Sequence, residues 1–238
     1  MPRAHRSVEE TRTLVAEAVV DYVAHHGIAV WPEIPMERIL ESAGVSRASA
    51  YRIWPGRSAF GTFALEQCLA GHAMATLDEQ RALALAQEVL GEAPTGSASR
   101  VESAARFIAR AAEEELDLLL SSDRWRAFVR FQAVALDAPT PEIQELLDRI
   151  DSEDAARLQA VYASVAEVWG LAPAIAGGTS AIAEAALLLA RSVVARIVAG
   201  RGEERLRSTY ATALAALVRG SFRELPQGTV DLERLRAR

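Results

Sequence analysis

Almost the whole of this chain is written in residues that favour the helix, and that one feature limits the folds open to it. Alanine, leucine, arginine and glutamate dominate, and the alternation of β-branched with polar residues that marks a half-buried strand is scarce. No segment reads as a convincing strand and no tandem repeat is visible, so the expected class is all-α. With 238 residues, 50% hydrophobic and 24% charged, the chain is globular and long enough for a full-sized core. Its longest apolar region, 181–199, is interrupted by Glu184, Arg191 and Arg196. Charges inside a membrane span are costly, so this region reads as a buried helix, and no membrane is expected as a partner. The opening residues MPRAHRSVEETR have no apolar run behind their charges and do not read as a signal peptide. The single cysteine, Cys68, excludes an internal disulfide framework. A cytoplasmic location is expected.

Local punctuation divides the helices. Ser7 followed by Glu10 is a capping-box signal opening a helix to about His25, and Gly27 stops it. Leu14, Ala18, Val19 and Tyr22 are expected on its buried face. The connector IAVWPEIP leads to a second helix with Pro35 as its first residue, ending near Ser42. AGVS is a turn, Ser46 caps a third helix to about Ile53, and WPGRS breaks the chain before a fourth begins near Arg57. Longer helices are expected over 59–77, 78–90, 99–120, 124–136, 141–169, 172–199 and 203–222. The polar tail from Pro226 is expected to be loose. These breaks suggest a small N-terminal domain over 1–70, a larger helical body over 71–225, and a tail over 226–238.

Charge is distributed unevenly. Up to Phe60, Arg3, Arg6, Arg12, Arg38, Arg47, Arg52 and Arg57 balance Glu9, Glu10, Glu17, Asp21, Glu33, Glu37 and Glu41, so the net charge of −6 arises beyond that point. Between Glu41 and Glu66 there are three arginines and no carboxylate. Around the start of this stretch lie a helix from Pro35, a short turn with glycine and a second helix, which is the helix-turn-helix pattern. Met36, Ile39 and Leu40 supply the inner face of the first arm, Gly44 permits the tight turn, and Val45 plugs the corner. Ala50 allows close approach of the second arm, while Ile53 and Trp54 pack back. The outward set is then Arg47, Ala48, Ser49, Tyr51 and Arg52, which suits a helix laid in the DNA major groove. Arginine can bond a guanine edge with two hydrogen bonds, alanine can touch a thymine methyl, and the hydroxyls can reach phosphate oxygens. Arg57, with the backbone N–H groups at the start of the fourth helix, offers a further phosphate contact.

The stretch AGVSRASAYRIWPGRSAF resembles the DNA-binding signature of TetR-type (tetracycline-repressor-like) bacterial regulators. Ala43, Gly44, Val45, Ser46 and Tyr51 match directly. Trp54 stands where the family usually has phenylalanine, Arg57 where it has lysine, and Phe60 where it has leucine. The resemblance covers about residues 7–69; beyond that only length and helical character agree. Pro35, Leu40 and Ser58 depart from the usual pattern, and the connector before Met36 is about three residues longer. The resemblance implies a non-enzymatic, ligand-responsive transcriptional regulator, a repressor by family expectation. It implies a homodimer on double-stranded DNA with an inverted-repeat operator, and a small-molecule effector held within the helical body. No cofactor is implied. The departures leave open a helical binding protein or enzyme whose helix-turn-helix no longer selects DNA.

Within that frame, the last two long helices are the expected dimer seam. AIAEAALLLARSVVARIVAG is apolar around most of its circumference and RLRSTYATALAALVRGSF adds small residues, which suits a four-helix bundle with the mate. The candidate pocket walls are Phe107, Leu118, Trp125, Phe128, Phe131, Gln132, Tyr162 and Trp169, aromatic surfaces with few polar anchors, which points to a largely apolar effector. His5, His25, His26 and His72 lack metal-ligand spacing, so no metal site is expected. Cys68 reads as a small buried residue. The acids 113–115 and 151–154 read as solvated helix surface.

Overall fold

The computed structural model describes residues 6–27, 34–70, 77–92, 99–135 and 141–235. Ten α-helices and two three-residue strands lie among these residues: α1 (Val8–His26), α2 (Met36–Ser42), α3 (Arg47–Ile53), α4 (Arg57–Leu69), α5 (Glu79–Gly91), α6 (Arg100–Ser121), α7 (Asp123–Ala135), α8 (Pro141–Val168), β1 (Leu171–Pro173), α9 (Gly178–Val198), α10 (Glu203–Ser221) and β2 (Phe222–Glu224). The chain divides into two compact units. One is Met1–Ala73 with Leu120–Gln144; the other is Met74–Leu119 with Glu145–Arg238.

In the first unit α1 is the central element, in contact with α2, α4 and α7. Its start is the full capping box: the Glu10 N–H donates to Ser7 Oγ at 3.0 Å, and the Ser7 N–H donates to Glu10 Oε2 at 2.7 Å. Gly27 closes it at φ +72, a left-handed value that suits glycine. The buried face is Thr11, Val15, Val19, Val20, Val23 and Ala24, with Leu14, Ala18 and Tyr22 only half-buried. The face is therefore rotated from the one expected, because α1 must cover α7 as well as α2 and α4. Trp54, 3% exposed, ends α3 and packs on Phe60 and Phe63 of α4, with ring centroids 5.6 and 4.6 Å away. Pro35 caps α2 from one position before its first residue, and residues 28–33 of the connector lie outside the described residues.

The second unit is built of α5, most of α6 and α8, and the packed pair α9 and α10. Two expectations fail here. The helix predicted over 172–199 begins only at Gly178, because Pro173 and the left-handed Gly177 (φ +82) and Gly178 (φ +60) break the chain first. The residues released form β1, which pairs antiparallel with β2 in the register Ala172 to Arg223. The tail also differs from the loose segment expected. It folds back as far as Leu235: the Leu225 N–H donates to Gly170 O at 3.0 Å and the Asp231 N–H to Val168 O at 2.8 Å. Arg100 at the start of α6 donates to Gly170 O and Leu225 O at 3.0 and 2.6 Å. Gly170 and Gly228 lie so close that a Cβ on Gly228 would stand 2.5 Å from Gly170 O. Among the described residues no helix is long and apolar enough to cross a membrane.

Candidate nucleic-acid interface and ligand pocket

Helix α3 begins where Ser46, with extended backbone, accepts the Ser49 N–H on its Oγ at 3.2 Å. The turn before it is held by Gly44 at φ +61, whose carbonyl accepts from Arg6 Nη1 at 2.9 Å. The Val45 N–H donates to Leu40 O at 2.9 Å, closing the corner between α2 and α3. Ala50 is fully buried and turns its side of α3 inward. The opposite side therefore faces water: Arg47, Ala48, Tyr51 and Arg52 are exposed, while Ser49 is half-buried with its hydroxyl accepting from Ser46 at 2.9 Å. Arg47 and Arg52 have no acidic partner among the described residues. Arg57, at the first position of α4, is 79% exposed, and Glu37 is its nearest acid at 4.0 Å. The rod of α3 thus presents two free guanidinium groups, a phenol and a methyl on one surface.

The second unit contains a half-open cavity of about 350 Å³. Phe107, Ile108, Ala111, Ala112 and Glu115 of α6 form one wall, and Arg157, Leu158, Val161, Tyr162 and Val165 of α8 another. Ala186 of α9, Tyr210 and Leu214 of α10, Leu77 and Ala82 near α5, and Leu235 of the returned tail complete it. The lining is mostly apolar, with a few polar groups converging from different helices. Glu115 is half-buried, its exposed part facing the cavity. Burial pushes its carboxyl up to about 7, against a hydrogen bond from the Leu77 backbone that lowers it. Burial likewise raises the Tyr162 and Tyr210 phenols, and the Glu115 charge raises both further.

No family model matches the sequence, and no curated protein matches it. Solved structures do. SCO4454, a TetR-family transcriptional regulator from Streptomyces coelicolor, is similar at a TM-score of 0.52 over 89% of this chain and 96% of its own, with 16% identity. NalD, the secondary repressor of the MexAB-OprM multidrug efflux pump in Pseudomonas aeruginosa, is similar at 0.51 over 92% of this chain and 100% of its own, also with 16% identity. The chain has the TetR-family fold. In this fold α2 and α3 form the helix-turn-helix unit, and every residue named from the sequence as DNA-facing lies on α3 or at the start of α4.

Within the same TetR-family fold the eight residues named for the pocket scatter. Phe107 and Tyr162 line the cavity. Trp169 is fully buried and packs at a tilt behind Phe107, with centroids 4.9 Å apart. Leu118 is 48% exposed. Trp125, Phe128, Phe131 and Gln132 are on α7 in the first unit, the first three buried in its core and Gln132 half-buried. The structure adds Tyr210, and it moves Glu115 from the solvated surface expected for it to the cavity; Asp154, expected on the same kind of surface, is buried 3.1 Å from Arg191. The signal for Glu115 and Tyr210 was present: Phe107, Ala111 and Glu115 step by four along one apolar stripe, as do Leu206, Tyr210, Leu214 and Val218. A lone acid on such a stripe, unlike Glu113 beside it, belongs to a cavity.

Asp21, His25 and Asp123 bring ligand atoms within 4.8 Å of one another, with Asp21 and His25 exposed. His25 Nδ1 is already 2.9 Å from the Asp21 carbonyl, and the three groups form an ordinary surface charge cluster. His5 and His72 lie outside the described residues. Cys68 is buried, and its thiol is pushed up to about 12 by that burial, which leaves it unreactive.

Proposed function

We propose that this chain is a ligand-responsive transcriptional repressor. As a homodimer it binds an inverted-repeat operator in double-stranded DNA and leaves it when a small, largely apolar effector fills the pocket of the second unit. The observation that carries this reading is the solvent-facing surface of α3: Arg47 and Arg52 stand exposed, without an acidic partner among the described residues, on the second arm of a helix-turn-helix. Arg47 and Arg52 reach guanine edges or phosphates, Ala48 touches a thymine methyl, Ser49 and Tyr51 bond the backbone, and Arg57 holds a phosphate beside the start of α4. NalD, which shares the fold, is a repressor, and this supports the direction of the response. A regulator of this kind works in the cytoplasm, where the chromosome is.

The dimer seam of this reading is α9 with α10. On α9 one side is buried by Ile182, Ala183, Ala186, Leu187, Ala190 and Val193, while Leu188 on the other side is 71% exposed. On α10 the outward positions Ala213, Ala216 and Gly220 are small enough for a close mate.

The test is selection of bound sequences from random DNA by the purified protein, followed by a mobility shift on the recovered site. An inverted repeat is expected, with affinity falling steeply as salt rises. The double variant Arg47→Ala with Arg52→Ala is expected to weaken the shift by at least about a hundredfold while keeping the helical circular dichroism. Undiminished binding by that variant, or recovery of no common sequence, overturns the assignment.

A further inference from the structure

The cavity contains one chemical contradiction, and its resolution names a ligand class. Its surface is mostly hydrocarbon, yet one carboxyl and two phenols from three different helices converge on it: Glu115 of α6, Tyr162 of α8 and Tyr210 of α10. The groups facing Glu115 are the two phenols and the Leu77 backbone, and none of these carries a positive charge. Arg157, exposed on α8, is the one cation lining the cavity among the described residues, and Glu79 lies across from it at the α5 side. Among the described residues no arginine stands against Glu115, so whenever the carboxyl ionises its charge lies in a largely apolar space without a counter-ion.

We propose that the pocket takes an apolar organic cation, a lipophilic amine or ammonium compound, whose charged head sits on the Glu115 carboxylate against the rings of Tyr162 and Tyr210. The proposal deepens the effector reading above and rests on it. A cation supplies the charge that the site lacks, and the electron-rich faces of two tyrosines attract it further. The apolar remainder of the ligand lies along Phe107, Ile108, Val161 and Leu214, and 350 Å³ is the scale of a small organic molecule. An anionic ligand meets the opposite situation, since its charge adds to that of Glu115 and only the exposed Arg157 could hold it. Proton linkage follows from the same geometry. Because the empty site keeps much of Glu115 protonated near neutral pH, a bound cation must displace that proton, and affinity rises with pH until the carboxyl is ionised.

The experiment is isothermal titration calorimetry of the full-length protein with three probes of one chain length: octyltrimethylammonium, octanol and octanoate. The fixed charge of the first keeps the ligand's own titration out of the measurement. At pH 8 the cation is expected to bind at least tenfold more tightly than either other probe. Between pH 8 and pH 6 its affinity is expected to fall about tenfold, the loss set by a carboxyl titrating near 7. Glu115→Gln is expected to remove both the preference for the cation and the pH dependence. The wild-type selectivity and pH profile stand without the variant. Octanoate binding as tightly as the cation, or a cation affinity indifferent to Glu115→Gln, overturns the proposal. Binding of octanol or octanoate without the cation sinks the cation and leaves the effector pocket standing, whereas binding of none of the three sinks both.

Discussion

Glu115 costs the protein stability once its carboxyl is ionised, and the cost has a definite sign. Its carboxyl titrates near 7 when folded against an ordinary value of 4.5, so the folded state holds the proton more tightly than the unfolded chain. Below about pH 4.5 both states are protonated and there is no penalty. The penalty grows through the window from 4.5 to 7 and is complete above it, at roughly 3 kcal/mol. Glu115→Gln should therefore raise the melting temperature at pH 8 and leave it nearly unchanged at pH 4.5, measured by thermal denaturation of the two proteins side by side. An equal gain at both pH values would mean that the carboxyl is not desolvated. The outward residues of α3 were legible because helical spacing and one turn signature fix which side of a seven-residue rod is free. The pocket residues were mostly not. Aromatic size is shared by wall and core alike, and Trp125, Phe128 and Phe131 went to the core of the first unit because α7 packs on α1 and α4.

Helix boundaries followed local chemistry and were readable for that reason. The Ser7 capping box, the Gly27 stop, the Ser46 cap and the Gly56–Arg57 restart all act within a few residues. Helix orientation depends on partners far away in sequence, and there the local pattern of α1 pointed to the wrong face. The start of α9 was misplaced although Pro173 and Gly177–Gly178 announce it, since the apolar composition on both sides disguised the break. On the proposed reading α9 and α10 form the dimer seam. Leu188 leaves most of its side chain in water, and its burial against a mate is worth roughly 1.5–3 kcal/mol per copy. Leu188→Arg places a charge there on each subunit and should convert the dimer to monomer at micromolar concentration, with the helical content kept because the position supports nothing in its own chain. Multi-angle light scattering on the eluted peak reads the mass directly. A variant that still elutes at twice the chain mass would move the seam elsewhere.

For the whole molecule the decisive quantity is the coupling free energy between pocket and operator. On the proposed reading, an acidic chain of net charge −6 meets DNA through a local surface such as α3, and a modest effector-driven bias releases it. A coupling of about 2 kcal/mol changes operator affinity roughly thirtyfold. Linkage then fixes the reverse effect without further assumption: whatever factor a saturating effector takes from operator affinity, a saturating operator must take from effector affinity. Fluorescence anisotropy of labelled operator with and without the effector gives the first factor, and calorimetric titration of the effector into free and DNA-bound protein gives the second. Both should lie between about fivefold and a hundredfold and agree with each other. Factors of one in both directions would leave a DNA-binding protein with a pocket that does not regulate it. That outcome would separate the two halves of the reading, since the operator would survive and the switch would not.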